Sequence, residues 1–442
     1  MRRAGLGLGL GVICIALGLG CATGHGQQAQ PPLASYIARD GTRLMLDGKP
    51  WRFLGYNDWY AASKIQASCT GHSPYSDTEL DAELARFEAT GAKVVRAWFF
   101  QSLALKMGRI DYSGFERLLS HAKAHHLRVI AVLANGQKDC EPGGKPKYLE
   151  WFSRQPAFPG SPLYQTVEPG YLLSYRQYAA EVAEHFANEP AIAWWELINE
   201  PHAIDDAPRY HCSETIPGGI GAAQALRAFV DDMAGVIKHI DHHHLVTIGA
   251  EAQDGACGLF GGARFAESYC ATARLGCSSD FEYVHAGTIE RDGREQPALD
   301  LIEIHEYGIY YCNNRTCDGD QYRQFLAKLT RVSGRIVAEA RKLNKPMYFG
   351  ELGLTSDRYV PPPKDQGSCR FADRYDTGAC TSRADCLEKK LGAILAPSSG
   401  ISGLLYWEAT PSTKVRTGDC YAIPSDTQDE VHAIIARHGH GL

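Results

Sequence analysis

Short apolar segments alternate with longer amphipathic segments along most of the chain. The short segments are apolar at almost every position, which is typical of strands buried on both faces of a parallel sheet. This pattern predicts eight strands, at Arg52–Asn57, Lys93–Trp98, Arg128–Leu133, Ile192–Ile198, Leu245–Gly249, Leu301–His305, Met347–Gly350 and Gly403–Tyr406. The amphipathic segments predict helices at Thr78–Thr90, Phe115–His126, Tyr171–Ala187, Gly221–Ile240, Gln321–Leu343, Cys386–Ala396 and Asp429–Arg437. Between the fifth and sixth strands, Glu251–Asp300 is predicted to be a loop-rich insertion.

Strands that alternate with helices in this way predict a parallel sheet, and eight such units favour a closed (β/α)8 barrel, the TIM-barrel fold. A doubly wound open sheet is the alternative, but no Gly-x-Gly-x-x-Gly follows the first strand. Ahead of that strand, β-prone runs at Tyr36–Ala38, Arg43–Leu46 and Trp51–Leu54 are separated by two Asp-Gly pairs. These pairs predict a small N-terminal β-hairpin, which we expect to plug one end of the barrel.

The N-terminal segment differs from the rest of the chain. Residues 1–20 combine two arginines with a short apolar run and predict a signal peptide, not a membrane-spanning helix. The sequence up to Cys21 resembles a bacterial lipoprotein cleavage box, which leaves two alternatives open: lipid attachment at Cys21, or cleavage and release. Residues 21–35 are predicted to form a flexible tether and residues 36–442 a single domain. We therefore expect a protein that is secreted, periplasmic or held at the cell surface.

Charge and cysteine content narrow the class of protein further. The chain has 45 Lys and Arg residues against 51 Asp and Glu, and its net charge of -6 does not indicate nucleic-acid binding. Fourteen cysteines less Cys14 and Cys21 leave twelve in the mature chain, an even number. An even number of cysteines in a chain with a predicted export signal favours disulfide bonds over metal ligation. Zinc sites usually contain Cys-x-x-Cys pairs, and this sequence has none. We predict no metal site, and the disulfide connectivity stays open.

Two acidic residues follow predicted strands at the end of a barrel where catalytic side chains are expected. Glu200 comes after the fourth strand and Glu351 after the seventh. One protonated carboxyl group can protonate a leaving oxygen while a second, ionised one stabilises an oxocarbenium-like carbon. The pair therefore suits cleavage of a glycosidic bond. Aromatic residues near strand ends, which can stack on sugar rings, are Trp59, Trp195, Tyr307 and Trp407.

These segments resemble glycoside hydrolase family 5, of the retaining clan A, over essentially the whole chain from about Tyr36. Asn199-Glu200-Pro201 is similar to the acid/base motif of the family, and Phe349-Gly350-Glu351 is similar to its nucleophile segment. Further strand-end positions that match the family are Arg96, His305, Tyr307 and Trp407. The opening Phe53–Asn57 and Asn135 after the third strand are similar to the endo-β-1,4-mannanase branch.

The resemblance implies a role for each matching residue. Glu351 would attack the anomeric carbon while Glu200 protonates the departing oxygen and later acts as a base, so that configuration is retained. Asn199 would contact the sugar 2-hydroxyl, and Arg96 and Tyr307 would hold Glu351 ionised and oriented. Trp195 is expected to pack against Glu200 and to help keep it protonated. No metal or organic cofactor is required.

The first functional hypothesis is an exported endo-acting mannanase that cleaves β-1,4-mannosidic linkages in polysaccharides. The second is a β-1,4-glucanase or another family 5 β-glycosidase, because Glu306 and Glu408-Ala409 depart from residues that are usual in mannanases. The third, of a different class, is a non-catalytic cell-surface glycan-binding protein, which the presence of Glu200 and Glu351 disfavours. We expect a monomer whose partner is a polysaccharide, with neither bound nucleic acid nor a membrane-spanning segment.

Overall fold

The computed structural model describes residues 33–59, 61–63, 74–136, 140, 163–201, 222–251, 282–306, 334, 336–354, 382–410, 421, 423–424 and 430–442. Eight parallel strands form a closed barrel in which each strand pairs with the next along the chain and the last pairs with the first. We number them β1 (Phe53–Asn57), β2 (Val94–Trp98), β3 (Arg128–Val132), β4 (Ile192–Asn199), β5 (Leu245–Glu251), β6 (Ile302–Glu306), β7 (Met347–Leu352) and β8 (Gly403–Tyr406). The predicted fold class is confirmed, and every predicted strand lies within two residues of the observed bounds.

Helices cover the outside of the barrel. The longer ones are Asp77–Ala89, Ser113–Ala124, Tyr175–Phe186, Ala222–Ile240, Arg383–Leu395 and Glu430–Gly439. Ser76 and Ser174 begin two of these helices with capping boxes, in which the serine hydroxyl accepts a backbone hydrogen bond three residues later. Most of the predicted helix Gln321–Leu343 lies outside the described residues, and 336–342 is helical. Gln101–Ala104 is a short helix, and Leu163–Gln165 and Pro397–Ser399 are single 3-10 turns.

Several short strands were not predicted. Thr288–Arg291 and Arg294–Pro297 form an antiparallel hairpin within the segment expected to be a loop-rich insertion. Asp292 and Gly293 both have positive φ angles in its turn, as an Asp-Gly hairpin requires, so the sequence signal was present there. Two smaller pairs are Leu105–Lys106 with Arg109–Ile110, and Ala409–Thr410 with Ile423–Pro424.

A three-stranded antiparallel sheet precedes β1. Its strands are Ala38–Asp40, Arg43–Leu46 and Lys49–Trp51, and the two predicted Asp-Gly turns join them. Ile37 and Leu44 are buried in one apolar cluster with side chains of the barrel strands, most of which lie toward the amino-terminal ends of those strands. Those barrel side chains are Phe53, Val94, Ile130, Ala193, Trp194, Leu301, Tyr348 and Leu405. The sheet therefore closes the amino-terminal end of the barrel, as predicted.

The predicted signal peptide and most of the predicted tether lie outside the described residues. Among the helices that the structure describes, none combines the length and the hydropathy that a bilayer-spanning helix needs. Cys140 and Cys386 are the two cysteines in the described ranges, and each is disulfide-bonded. That the other cysteines form disulfide bonds stays a prediction, and the connectivity stays open.

Candidate active site

Glu200, His305 and Glu351 meet at the carboxyl end of the barrel. Glu200 directly follows β4, whereas His305 and Glu351 lie near the ends of β6 and β7. One oxygen of each carboxyl group and one ring nitrogen of His305 all lie within 4.8 Å of one another. His305 Nδ1 is 2.8 Å from Glu200 Oε1 and 3.4 Å from Glu351 Oε2. The two acids are therefore brought together beside one ring nitrogen of His305, although they are distant in the sequence.

The backbone at Glu200 is unusual. Its φ angle is 44°, in the left-handed region that residues with a Cβ seldom adopt. Gly136 makes room for this turn, because a Cβ on Gly136 would overlap the carbonyl group of Glu200. Strained backbone of this kind is common at functional sites. It places Glu200 beside His305 with only 10% of its side chain exposed.

Arg96, in the barrel interior beneath the site, donates hydrogen bonds to four of the surrounding residues. It is fully buried in β2, and its Nη1 donates to Glu351 Oε1 at 2.7 Å and to Asn57 Oδ1 at 2.9 Å. Nη2 donates to Asn199 Oδ1 at 2.7 Å, and the Nε edge forms two 2.6 Å bonds with Glu196. Burial lowers the pKa of Arg96, but the surrounding carboxylates outweigh it and raise this pKa above its usual value. A permanent cation thus holds Glu351 in place.

The predicted asparagines are part of the same hydrogen-bond network. Asn57 Nδ2 donates to the carbonyl oxygen of Gly350 at 2.9 Å, which fixes the backbone next to Glu351. Asn199 Nδ2 donates to Asn135 Oδ1 at 2.8 Å, while its own oxygen accepts from Arg96. The amide group of Asn199 is therefore oriented from two sides.

An aromatic group lies next to these polar residues. Trp407, at the end of β8, is partly exposed, and its ring centroid is 6.5 Å from that of the buried Trp98. Trp59 packs on Trp98 at 4.7 Å and donates its indole N–H to the buried Glu408. Because Trp59 is only 6% exposed, its role is to pack against Trp98, and little of its ring is open to a sugar. Tyr307 lies outside the described residues.

The expectation that Trp195 packs against Glu200 is wrong. Trp195 is fully buried on the outer face of the barrel, where its Nε1 donates to Asp241 Oδ2 at 2.7 Å. Side chains alternate along β4, so the neighbouring Trp194 and Glu196 point into the barrel instead. Trp195 therefore belongs to the packing between barrel and helices, and it is no candidate for contact with a sugar.

Three interior residues were not singled out from the sequence. Glu196, Glu303 and Tyr348 are fully buried inside the barrel beneath the site. Burial and the negative charge of Glu303 raise the pKa of Glu196 to about 8, although Arg96 opposes this shift. The signal that would have found Glu303 is its place two positions before His305, on the same face of the same strand.

His305 is surrounded by carboxyl groups. Burial lowers its pKa, but the charge of Glu351 and the hydrogen bonds to Glu200 and Glu303 outweigh burial and raise the pKa to about 10. His305 is therefore a cation at neutral pH. Within the part of the chain that the structure describes, two groups of residues have donor atoms that suit a metal ion, Glu196-Glu303-His305 and Glu200-His305-Glu351. Because Arg96 and the His305 cation already supply positive charge there, we assign no metal to either group.

This charge predicts how stability depends on pH. A histidine whose pKa is 6.5 when unfolded and about 10 when folded stabilises the protein fully below pH 6.5. The contribution is lost as pH rises through about 10, because the folded state then releases the proton as well. We expect the difference in melting temperature between the wild-type protein and His305→Gln to shrink steadily across this window. Thermal unfolding of both proteins at each pH measures it, and a constant difference would contradict a charged His305.

Comparisons with known proteins identify the family to which this chain is similar. The model of the family described as Cellulase (glycosyl hydrolase family 5) matches residues 68–380. Mannan endo-1,4-beta-mannosidase 8 of Oryza sativa subsp. japonica is 24% identical over 418 residues, which cover 90% of this chain and 97% of the rice protein. Mannan endo-1,4-beta-mannosidase 5 of Arabidopsis thaliana is 25% identical over 352 residues, covering 75% of this chain and 72% of that protein.

Solved structures match in fold. An endo-1,4-beta-mannanase from Rhizomucor miehei superimposes with a TM-score of 0.61 at 16% identity and covers 92% of this chain and 99% of its own. An endo-beta-1,4-mannanase from Thermotoga petrophila superimposes with a TM-score of 0.57 at 19% identity and covers 89% of this chain and 77% of its own. Since the family model spans well over half of the sequence, this chain belongs to glycosyl hydrolase family 5 and is a glycoside hydrolase.

Proposed function

We propose that the protein is a retaining endo-β-1,4-mannanase that cleaves mannan-type polysaccharides. The observation that carries this proposal is the approach of the Glu200 and Glu351 carboxyl oxygens to within 4.8 Å at the mouth of the barrel. Retaining glycosidases place their two carboxyl groups about 5 to 5.5 Å apart, whereas inverting enzymes leave room for a water between them. An approach of single carboxyl oxygens to within 4.8 Å is closer than the roughly 6.5 to 9.5 Å of inverting enzymes and favours a covalent glycosyl-enzyme intermediate.

In the proposed mechanism, Glu351 is the nucleophile. Its Oε1 accepts a hydrogen bond from Arg96, so the carboxyl group stays ionised while an oxygen attacks the anomeric carbon. The bond to the leaving oxygen breaks as Glu200 transfers its proton to that oxygen. A water then gives a proton to Glu200 and attacks the same carbon, which releases Glu351. Asn199 presents its amide group toward the 2-hydroxyl, and Trp407 stacks on a sugar ring.

The proposal of mannan as substrate rests on the relatives. The rice and Arabidopsis proteins are both named mannan endo-1,4-beta-mannosidases, and the Asn135 and Phe53–Asn57 resemblances point the same way. A β-1,4-glucanase is the second candidate because the matching family model is described as Cellulase. Glu306, which departs from the mannanase pattern, forms a buried ion pair with Lys390 and so lies outside the site. The approach of Glu200 to Glu351 disfavours the non-catalytic glycan-binding alternative.

A substrate profile tests the proposal. We expect galactomannan and glucomannan to be cut into oligosaccharides, and the viscosity of galactomannan to fall long before reducing ends accumulate, as internal cleavage requires. Carboxymethylcellulose should give little product, and release from it alone would favour the glucanase. No release from any of the three, with retained binding to one of them, would identify a glycan-binding protein.

We also propose that the protein is exported and acts as a monomer. The export signal predicted at residues 1–20 and the even number of cysteines support an oxidising location outside the cytoplasm. Fractionation of cells that produce the wild-type protein and Cys21→Ala separates the two alternatives for the N-terminus. Loss of the protein from the membrane fraction in the variant indicates lipid attachment, and an unchanged soluble fraction indicates cleavage and release.

A further inference from the structure

A buried acid lies beneath the site on the side of His305 that faces away from Glu200. Glu303 is fully buried in β6, and its Oε1 is 3.4 Å from His305 Nε2 and 3.5 Å from Arg96 Nε. Its other oxygen accepts a hydrogen bond from the Tyr348 hydroxyl. Tyr348 in turn accepts from Trp194 Nε1 at 2.9 Å, which fixes the direction of its own proton. Both oxygens of Glu303 thus face donors.

The surroundings of Glu303 suit an ionised carboxylate. Arg96 is always charged, and a tyrosine whose oxygen already accepts an indole hydrogen bond can only donate to the acid. Because an ionised Glu303 can only accept, its contact with His305 Nε2 requires an N–H on that nitrogen. On the opposite side of the ring, Nδ1 lies 2.8 Å from Glu200. A neutral imidazole carries one N–H, so two carboxylates on opposite sides of the ring require two.

The neighbouring strand has room for this acid. Gly350 lies on β7 next to Glu303, and a Cβ at this position would overlap Glu303 Oε1. A side chain on Gly350 would therefore displace the carboxyl group from His305 and Arg96. The glycine and the acid fit each other, and together they bring a negative charge to the far nitrogen of the ring.

We propose that Glu303 is a positioning residue that keeps both nitrogens of His305 protonated, so that His305 donates to Glu200 and does not accept a proton from it in turnover. This inference rests on the proposed function of Glu200 as acid and base. After Glu200 has protonated the leaving oxygen, one proton remains between Glu200 and His305 Nδ1. That proton stays on His305, so Glu200 is a carboxylate and can activate water. Among the residues that the structure describes, the titratable groups that face His305 are Glu200, Glu351, Glu303 and Glu196. Those that face Glu303 are Arg96, Glu196, Tyr348 and His305.

The test compares the wild-type protein with Glu303→Gln, which keeps the shape and removes the charge. In the variant, a shared proton moves from His305 to Glu200, so Glu200 remains protonated to a higher pH. We expect the alkaline limb of the kcat/KM profile on galactomannan to move up by at least about half a pH unit. Tyr348→Phe keeps Glu303 but removes one of its donors, and it should move the limb in the same direction by less.

A spectroscopic measurement separates this inference from the function on which it rests. With ¹⁵N-labelled histidine, the wild-type protein at pH 8 should show two protonated ring nitrogens for His305, assigned by their loss in His305→Gln. Glu303→Gln should show one. A single protonated nitrogen in the wild-type protein, or an unmoved alkaline limb in a folded Glu303→Gln, would overturn the inference. Failure to cleave any polysaccharide would instead remove the proposed function, because the spectrum does not depend on turnover.

Discussion

Glu351→Gln is expected to lower kcat/KM on galactomannan by on the order of 10⁴-fold or more, because the glycosyl-enzyme bond can no longer form. The amide is close in size to the carboxyl group, and it can still accept a hydrogen bond from Arg96 through its oxygen. The melting temperature should therefore stay close to that of the wild-type protein, although the activity is almost lost. Steady-state kinetics and thermal unfolding of the same preparation measure the two effects. Glu290→Gln, on an exposed hairpin strand, is the matched control and should behave as the wild-type protein does.

A chemical rescue makes this prediction specific to the nucleophile. Glu351→Ala leaves space on the face of the sugar that the carboxylate would attack, and azide can enter it. With an activated aryl β-mannoside, we expect azide to restore turnover and to give the α-mannosyl azide. A product of β configuration, or turnover of Glu351→Gln close to that of the wild-type protein, would show that another group attacks the anomeric carbon.

Glu200→Ala is expected to have the second largest effect, and one that depends on the leaving group. Loss of a general acid costs roughly 10²- to 10⁴-fold, so hydrolysis of galactomannan should fall by about this factor. A dinitrophenyl leaving group needs no proton, and its release from the enzyme should stay fast as a burst before slow hydrolysis of the intermediate. Stopped-flow absorbance measures the burst.

Azide again distinguishes the role of the residue. In Glu200→Ala, azide should attack the intermediate from the face that water uses and give the β-mannosyl azide. The two alanine variants should therefore yield azides of opposite configuration. If leaving-group acidity made no difference to Glu200→Ala, or if azide gave the same product in both variants, Glu200 would not be the acid/base.

The barrel and the acids at its mouth could be predicted from the sequence for a simple reason. Eight apolar runs separated by longer segments leave few alternatives to a parallel barrel, and the carboxyl ends of all its strands meet on one side. Glu200, His305 and Glu351 each end such a run, so their meeting follows from topology. The hairpin of Thr288–Arg291 with Arg294–Pro297 could also have been predicted, because Asp292-Gly293 between the two strands is a strong turn signal.

The orientation of side chains within the strands was harder to predict. A strand buried on both faces is apolar on both, so the sequence pattern does not show which residues point inward. Trp195 was therefore placed at the site although it faces the helices, and Glu303 was overlooked although it faces the interior. The register shift between β3 and β4 makes counting along the strands less certain still.

The sheet that closes the amino-terminal end of the barrel also determines how the enzyme can be attached to a support. Tyr36 stacks on His243, just ahead of β5, so the described chain enters the barrel at the end opposite to Glu200 and Glu351. A resin, a scaffold protein or a carbohydrate-binding module joined ahead of Tyr36 would therefore connect at the end away from Glu200 and Glu351. Attachment ahead of Tyr36 would therefore immobilise the enzyme while the end that holds Glu200 and Glu351 stays accessible to long, insoluble polymers.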